Sequence, residues 1–401
     1  MSLAIILGDV HLGKGVNIGK VGIGSNLNSR IVDQINLLDW TLDQAIDHHA
    51  DHIIITGDIF EDPKPAPSLI TLFISWLKKC QAYDVHVHII MGNHDILRSG
   101  HIYSSPLDII SEVELDHVSI YKDTNTILIG TSAFTFLPFR DRKSFEVNSN
   151  TDALNLLKES LTYEIASIPV TYTKVLIGHL AIEGSIPIGD EIDDITNELF
   201  CPINMFVGYD YVWMGHVHKP QIMKKSSPFI AHIGSMDISN FGETDHKKHI
   251  IIFNCEPSIN EIPWTSQNIP TRTLKKISVV VPKDIEDSTL YVLDELKKVD
   301  SLEKSIVRVE VSLSTPDLKS INKSSIEKYL TSKGVFNING ISESKKANLI
   351  KKSTTNIIDT KMDEPAAIKA YADAHVDAHL RADFIELSMS ILNTYKEGIK
   401  E

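Results

Sequence analysis

Between Leu3 and His216 the chain repeats one pattern five times: a short apolar run, a glycine, then a side chain able to ligate a metal ion. Leu3–Leu7 leads to Gly8-Asp9, Ile53–Thr56 to Gly57-Asp58, and Val85–Met91 to Gly92-Asn93. Val175–Ile177 leads to Gly178-His179, and Tyr211–Met214 to Gly215-His216. Runs this short, rich in Ile and Val and closed by Gly, predict buried strands, each polar residue sitting on the loop just past a strand end.

Helical patterns separate the first strands. Ile31, Ile35, Leu38, Leu42 and Ala45 advance in steps of three and four, as do Leu69, Leu72, Phe73, Trp76, Leu77 and Cys80 after Pro67-Ser68. Strands alternating with helices predict an α/β core, and the carboxyl ends of its strands are where such sheets place active sites.

Asp9 and His11 form D-x-H, Asp58 sits in Gly57-Asp-Ile-Phe-Glu-Asp62, Asn93-His94-Asp95 forms N-H-D, and His179, His216 and His218 complete the set. Imidazole, carboxylate and amide ligands together suit Mn²⁺, Fe²⁺ or Zn²⁺, whereas a structural zinc site would favour Cys. There are enough ligands for two ions, which need a shared anion between them, and Asp58 is the choice for that bridge. Singly, each motif would be an ordinary loop residue in a chain with 17 His. Five in order, each at a predicted strand end, point to a two-metal centre, one able to serve phosphoester hydrolysis by supplying a nucleophile on one side of phosphorus and stabilising the oxygen leaving on the other.

The series D-x-H, G-D-x-x, G-N-H-[DE], G-H, G-H-x-H resembles that of the calcineurin-like metallophosphoesterase superfamily, and all five members are intact. The resemblance implies an α/β fold with a two-sheet core flanked by helices. It places Asp9, His11 and His218 on the first ion, Asn93, His179 and His216 on the second, and Asp58 on both. His94 is then free to protonate the leaving oxygen, with Asp95 orienting its ring.

Gly57–Pro65, Gly92–Asp95, Leu137-Pro-Phe139, Gly215-His-Val-His-Lys-Pro-Gln221, Gly234-Ser235 and Phe241-Gly-Glu243 resemble the SbcD and meiotic-recombination-eleven nucleases more than the phosphoprotein phosphatases. That resemblance implies a DNA exonuclease and endonuclease using two Mn²⁺ ions, acting in DNA repair, recombination or replication. It implies a homodimer within a heterotetramer whose other subunit is an SbcC-type coiled-coil ATPase. Its layout gives a nuclease domain over residues 1–268, a small α/β capping domain over 269–338, a linker over 339–364 and a helical partner-binding segment over 365–401. Lys275–Val281, a helix over 285–298 and a strand over 305–311 fit the cap, and Phe384, Leu387, Ile391 and Tyr395 line one face of the terminal helix. Candidate DNA contacts are Lys14, Lys20 and Arg30 after the first motif, and Arg140, Arg142 and Lys143 after Leu137-Pro-Phe139. Glu61 departs from relatives that carry His three residues beyond the bridging Asp, which bears on the balance of exonuclease and endonuclease action.

Composition sets outer bounds. With 401 residues, 42% hydrophobic and 23% charged, the chain is a folded protein larger than one typical domain. Its net charge of −14 argues against coating nucleic acid through bulk electrostatics, though Asp residues that hold cations are counted there without being free to repel a phosphate. Three widely spaced cysteines, Cys80, Cys201 and Cys255, predict no disulfide framework and fit a reducing cytoplasm, which the resemblance to SbcD implies is that of a bacterial or phage-infected cell. Neither a signal peptide nor a membrane span is expected. Two other readings are a phosphatase or cyclic-nucleotide phosphodiesterase with the same metals, and a scaffold subunit on a degenerate site, against which the intact ligands speak.

Overall fold

The computed structural model describes residues 2–21, 27–99, 102–186, 198–258 and 261–345, and, further on, residues 365, 368–369, 371–372 and 380–398. The first of two compact units, Met1–Val281 with Ile285–Ser312 and Lys319–Ser344, holds the candidate site. It opens with β1 (Leu3–Leu7), α1 (Ser29–Asp47), β2 (His52–Ile55), α2 (Pro67–Ala82) and β3 (His86–Ile90), then a small pair β4 (Leu97–Ser99) and β5 (Ile102–Ser104), α3 (Pro106–Ser111) and β6 (Val118–Tyr121). Next come β7 (Asn125–Ile129), β8 (Ser132–Leu137), α4 (Asn150–Ser167), β9 (Thr173–Gly178), β10 (Ala181–Ile182), β11 (Phe200–Cys201), β12 (Tyr211–Met214), β13 (Gln221–Lys224), β14 (Phe229–His232), β15 (His249–Asn254) and β16 (Trp264–Asn268).

Two six-stranded sheets result, in the orders β16-β15-β1-β2-β3-β6 and β13-β14-β12-β9-β8-β7. The apolar runs are buried on both faces, and the two-residue period of a strand decides which neighbour each side chain meets. Ile5, Leu7, Ile53, Ile55, Val87 and Ile89 pack against Leu38 and Leu42 of α1 and Phe73, Trp76 and Leu77 of α2. Ala4, Ile6, Ile54 and Ile90 face Phe134, Phe136, Val175, Ile177 and Trp213 of the second sheet. On that sheet's far side Leu176, Val212, Met214 and Ile230 cover Leu157 and Leu161 of α4. Each such fully buried Leu, Ile or Phe contributes about 1.5–3 kcal/mol. Asn28 caps α1 by accepting from the Arg30 N–H, and Pro67 starts α2 where its missing N–H costs nothing.

A third sheet, β17-β18-β19, comprises β17 (Leu274–Val281), β18 (Ile306–Leu313) and β19 (Asn337–Lys345), with α5 (Ser288–Lys297) and α6 (Lys323–Ser332) in the connections. The linker expected from residue 339 meets a strand instead. Among its polar residues Ile341 is buried, and the alternation is too sparse to register as a strand without β18 beside it. Phe336, just before β19, lies with its ring beneath the Lys20 ammonium and the Arg272 guanidinium, at 4.2 and 3.9 Å from its centroid.

In the second unit the terminal helix Arg381–Gly398 sets Phe384 with its ring stacked 6.0 Å from Tyr371. Cys80, Cys201 and Cys255 are buried free thiols. No helix among the described residues is long and apolar enough to cross a membrane.

Candidate dinuclear metal centre

The five ligand-bearing loops leave β1, β2, β3, β9 and β12 at one end of the facing sheets, and they are tied to one another. Val10 and His11 both donate their backbone N–H to Asp58 O, at 3.1 and 2.8 Å. Thr56 Oγ1 and the His216 N–H donate to the two oxygens of Asp9, at 3.1 and 2.8 Å. The His94 N–H donates to Asp58 Oδ1 at 2.9 Å. Such bracing is needed because His11, Asp58 and His216 have φ values of +47°, +47° and +77°. Left-handed backbone at non-glycine residues costs about 1–3 kcal/mol each and collects at functional sites. The glycines permit close approach: a Cβ on Gly92 would lie 2.1 Å from Asp58 Oδ1, and one on Gly215 2.4 Å from Asp9 Oδ1.

All seven expected ligands converge. His11 Nε2 and His218 Nε2 stand 2.9 Å apart, with Asp9 completing one cluster. His179 Nε2 and His216 Nδ1 approach Asn93 Oδ1 at 2.9 and 3.0 Å. Asp58 Oδ2 reaches both clusters, 3.4 Å from His11 Nε2 and 3.3 Å from His179 Nε2. The far sides of the rings decide where their protons sit. His179 Nδ1 donates to Thr56 O at 2.7 Å, and His216 Nε2 to the Glu198 carboxylate. Glu61 Oε2 lies 2.8 Å from His11 Nδ1. With protons on those outer nitrogens, the inward nitrogens are the ones free to offer lone pairs to a cation, as metal-ligating imidazoles do. The residues therefore fit two divalent ions. Burial works against a charged His179, but the Asp58 and Asp9 carboxylates outweigh it and push its pKa up to about 10 when no cation is present.

Around the ligands the roles differ in part from expectation. His94 Nδ1 donates to the Glu61 backbone carbonyl at 2.8 Å, and its ring centroid stands 4.8 Å from that of His11. Asp95, expected to orient His94, does not touch it. Its carboxylate accepts the backbone N–H groups of Ile59 and Gly92, both at 3.0 Å, and so locks the second and third loops together. A residue adjacent in sequence points the other way at this turn, and Glu61 O takes the orienting position.

Three supporting residues were not anticipated. Glu198 meets His216, Glu243 Oε1 lies 3.8 Å from His218 Nδ1, and the buried Lys248 ammonium donates to Glu243 Oε2, Ser235 Oγ and His218 O at 2.8, 2.7 and 2.9 Å. Glu243 and Ser235 lie in stretches already singled out for their resemblance. Glu198 and Lys248 carry no motif and are found only through their contacts.

The basic residues expected at DNA scatter. Arg30 is fully buried, paired with Asp33 and Asp237, and donates to Ile238 O at 2.9 Å, so it is a structural ion pair and not a surface contact. Desolvating a guanidinium needs such partners, and Asp237 is far away in sequence. Lys20 donates to Phe336 O at 2.7 Å. Arg140 is held by Lys122 O and Asp123, at 2.7 and 2.8 Å, beside Asp141. Lys14 pairs with Glu61 at 3.1 Å, beside the candidate ligand His11. Arg142 and the exposed Lys143 stand on a short 3₁₀ turn, Arg142–Phe145. Of the partner-face residues, Leu387 is exposed, while the side chains of Ile391 and Tyr395 lie outside the described residues.

Residues 4–220 match the family model described as Calcineurin-like phosphoesterase. The chain is 25% identical over 258 residues to the SbcD component of the nuclease SbcCD from Escherichia coli K12, covering 58% of this chain and 63% of that one. It is 27% identical over 293 residues to the protein of the same name from Staphylococcus epidermidis, covering 70% and 72%. To the DNA double-strand break repair protein Mre11 of Methanopyrus kandleri it is 26% identical over 222 residues, covering 54% and 44%. The match thus spans less than two thirds of the length of the Escherichia coli relative.

Proposed function

The chain belongs to the calcineurin-like phosphoesterase family, and from that premise we propose that it is a manganese-dependent DNA nuclease, the nuclease subunit of an ATP-regulated complex like SbcCD. The observation that carries the hydrolytic reading is the convergence of imidazole, amide and carboxylate lone pairs on Asp58. Asp9, His11, His218 and Asp58 would hold one ion, and Asn93, His179, His216 and Asp58 the other. When bound, the ions supply a nucleophile at neutral pH and neutralise charge on the phosphate.

The protein's own groups do the rest. Asp58 keeps the two clusters in register, and Asp95 fixes the loop that carries both Asn93 and His94. His94, anchored through Nδ1 on Glu61 O, keeps Nε2 for a proton to the leaving oxygen. The choice of DNA over a small phosphoester is supported by the SbcD and Mre11 relatives and by the signature stretches themselves. Ser235 and Glu243 sit on Lys248 behind His218, so those stretches belong to the metal site's support. Lys14, Arg142 and Lys143 are the proposed phosphate contacts. The third sheet is the proposed cap, and the terminal helix the proposed docking segment for a coiled-coil ATPase in a cytoplasmic heterotetramer.

Degradation of linear and hairpin DNA in Mn²⁺ and in Mg²⁺, with and without ATP and a co-purified ATPase, tests the reading. Cleavage in Mn²⁺ is expected. Fully metallated protein that cuts no DNA in any condition would sink it.

A further inference from the structure

His216 is held at its backbone and at both ring nitrogens. Its backbone lies in the left-handed region at φ +77°, and its N–H is committed to Asp9 Oδ2. Its Nδ1, the ring nitrogen nearer the backbone, is the one turned towards Asn93 Oδ1. Presenting Nδ1 leaves Nε2 pointing away from the ions into the protein, where an N–H without an acceptor would cost about 1–3 kcal/mol. The acceptor there is the carboxylate of Glu198, itself only 5% exposed.

Glu198 is held in place by its neighbours. Two residues on, β11 pairs in parallel with β10, Ala181 against Phe200 and Ile182 against Cys201, and Glu183 donates its backbone N–H to Cys201 O at 3.0 Å. Asn150 Nδ2 donates to Glu198 O at 3.2 Å from the start of α4. On the other side of His216 the Phe139 ring lies 6.0 Å from the imidazole. Burying a carboxylate costs several kcal/mol and makes a poor stabilising device by comparison with an apolar side chain. A buried glutamate on the outward nitrogen of an inward-facing imidazole has a different use: it fixes the tautomer and the ring angle and makes the inward nitrogen more basic.

We propose that Glu198 is the positioning residue of the second ion site, holding His216 as the Nε2–H tautomer so that Nδ1 is the nitrogen presented to the metal. This deepens the proposed function and rests on its two-ion reading. Glu61 stands near His11 Nδ1 in a comparable way, but its side chain is 36% exposed and shared with Lys14, so solvent and a cation weaken its hold. Glu198 has no competing cation among the described contacts, and its effect on the metal is therefore the larger.

The test is calorimetric titration of metal-free full-length protein with Mn²⁺, for wild type, E198Q and E198A, with near-UV circular dichroism of each metal-free protein as the check on folding. Wild type is expected to bind two ions. E198A is expected to weaken one of the two steps by about 10–100-fold and leave the other unchanged. E198Q, which keeps an acceptor oxygen without the charge, falls between them and covers the case in which E198A fails to fold. Wild-type affinity at both steps in folded E198Q and E198A would overturn the proposal, as would equal weakening of both steps in folded E198Q. Wild-type protein that binds fewer than two ions would overturn the two-ion reading and this proposal with it, an outcome visible before any variant is compared.

Discussion

His11 and His218 present their Nε2 atoms to each other at 2.9 Å, while carboxylates face both Nδ1 atoms, Glu61 at 2.8 Å from the first and Glu243 at 3.8 Å from the second. With the protons on Nδ1, both Nε2 atoms offer lone pairs to one cation. Across Asp58, the Asn93 amide oxygen is likewise met by two inward ring nitrogens, His179 Nε2 and His216 Nδ1.

Metal should therefore stabilise the fold as well as enable turnover. Mn²⁺ at a hundred times its dissociation constant adds about 2.7 kcal/mol per ion through mass action, so the melting temperature should rise with Mn²⁺ and fall in EDTA. D58N should lose most of this response, because its side chain faces both clusters. A melting temperature indifferent to Mn²⁺ would contradict the donor geometry.

His94→Ala should separate chemistry from metal binding. The contact His94 makes with Asp58 uses its backbone N–H, which the substitution keeps. Two Mn²⁺ ions should still bind while turnover falls about 10²–10⁴-fold, the usual range for a lost general acid. Full activity with both metals bound would remove His94 from the mechanism.

Arg30→Ala should act on stability. It would take from Asp237 its paired guanidinium and leave Asp33 to Arg272 alone, and breaking such a buried pair costs about 3–5 kcal/mol. Urea denaturation should show this loss, whereas the salt dependence of DNA binding by the folded fraction should match wild type. A reduced salt slope with unchanged stability would instead restore Arg30 as a phosphate contact.

A histidine ladder should make the fold acid-sensitive. His52 Nδ1 and His88 Nε2 lie 3.1 Å apart, His86 stacks on His88 at 4.4 Å, and Tyr121 OH meets His88 Nδ1 at 2.9 Å. Burial, then the neighbouring imidazoles, holds His52 down to about 4 and His88 to about 2. These folded values lie below the unfolded value of about 6.5, so the unfolded chain binds more protons as pH falls. Stability is complete above that value and declines below it. For His88 alone the loss is about 2 kcal/mol at pH 5 relative to pH 8. Subtracting the H88F stability profile from that of wild type isolates this contribution, and a flat difference between pH 8 and pH 5 would refute it.

Much of the site could be read from the chain because strand ends are local. An apolar run closed by Gly specifies both a strand and the exit after it, so Asp9, Asp58, the proposed bridge, Asn93, His179 and His216 are each legible from a few neighbouring residues. The helices over Ser29–Asp47 and Pro67–Ala82 followed from spacing for the same reason. What the ligands lean on was not local. Arg30 reads as a surface cation until Asp237, two hundred residues away, folds over it, and Asp95 reads as the partner of His94 until the turn directs it to Ile59 and Gly92. Glu198 and Lys248 carry no pattern at all, because a buried charge is marked by its partners and those come from other strands. The order of residues thus suffices to say which side chains are candidate metal ligands. Which nitrogen of each imidazole faces inward is settled only on folding, since it depends on the acceptor that packing places behind the ring.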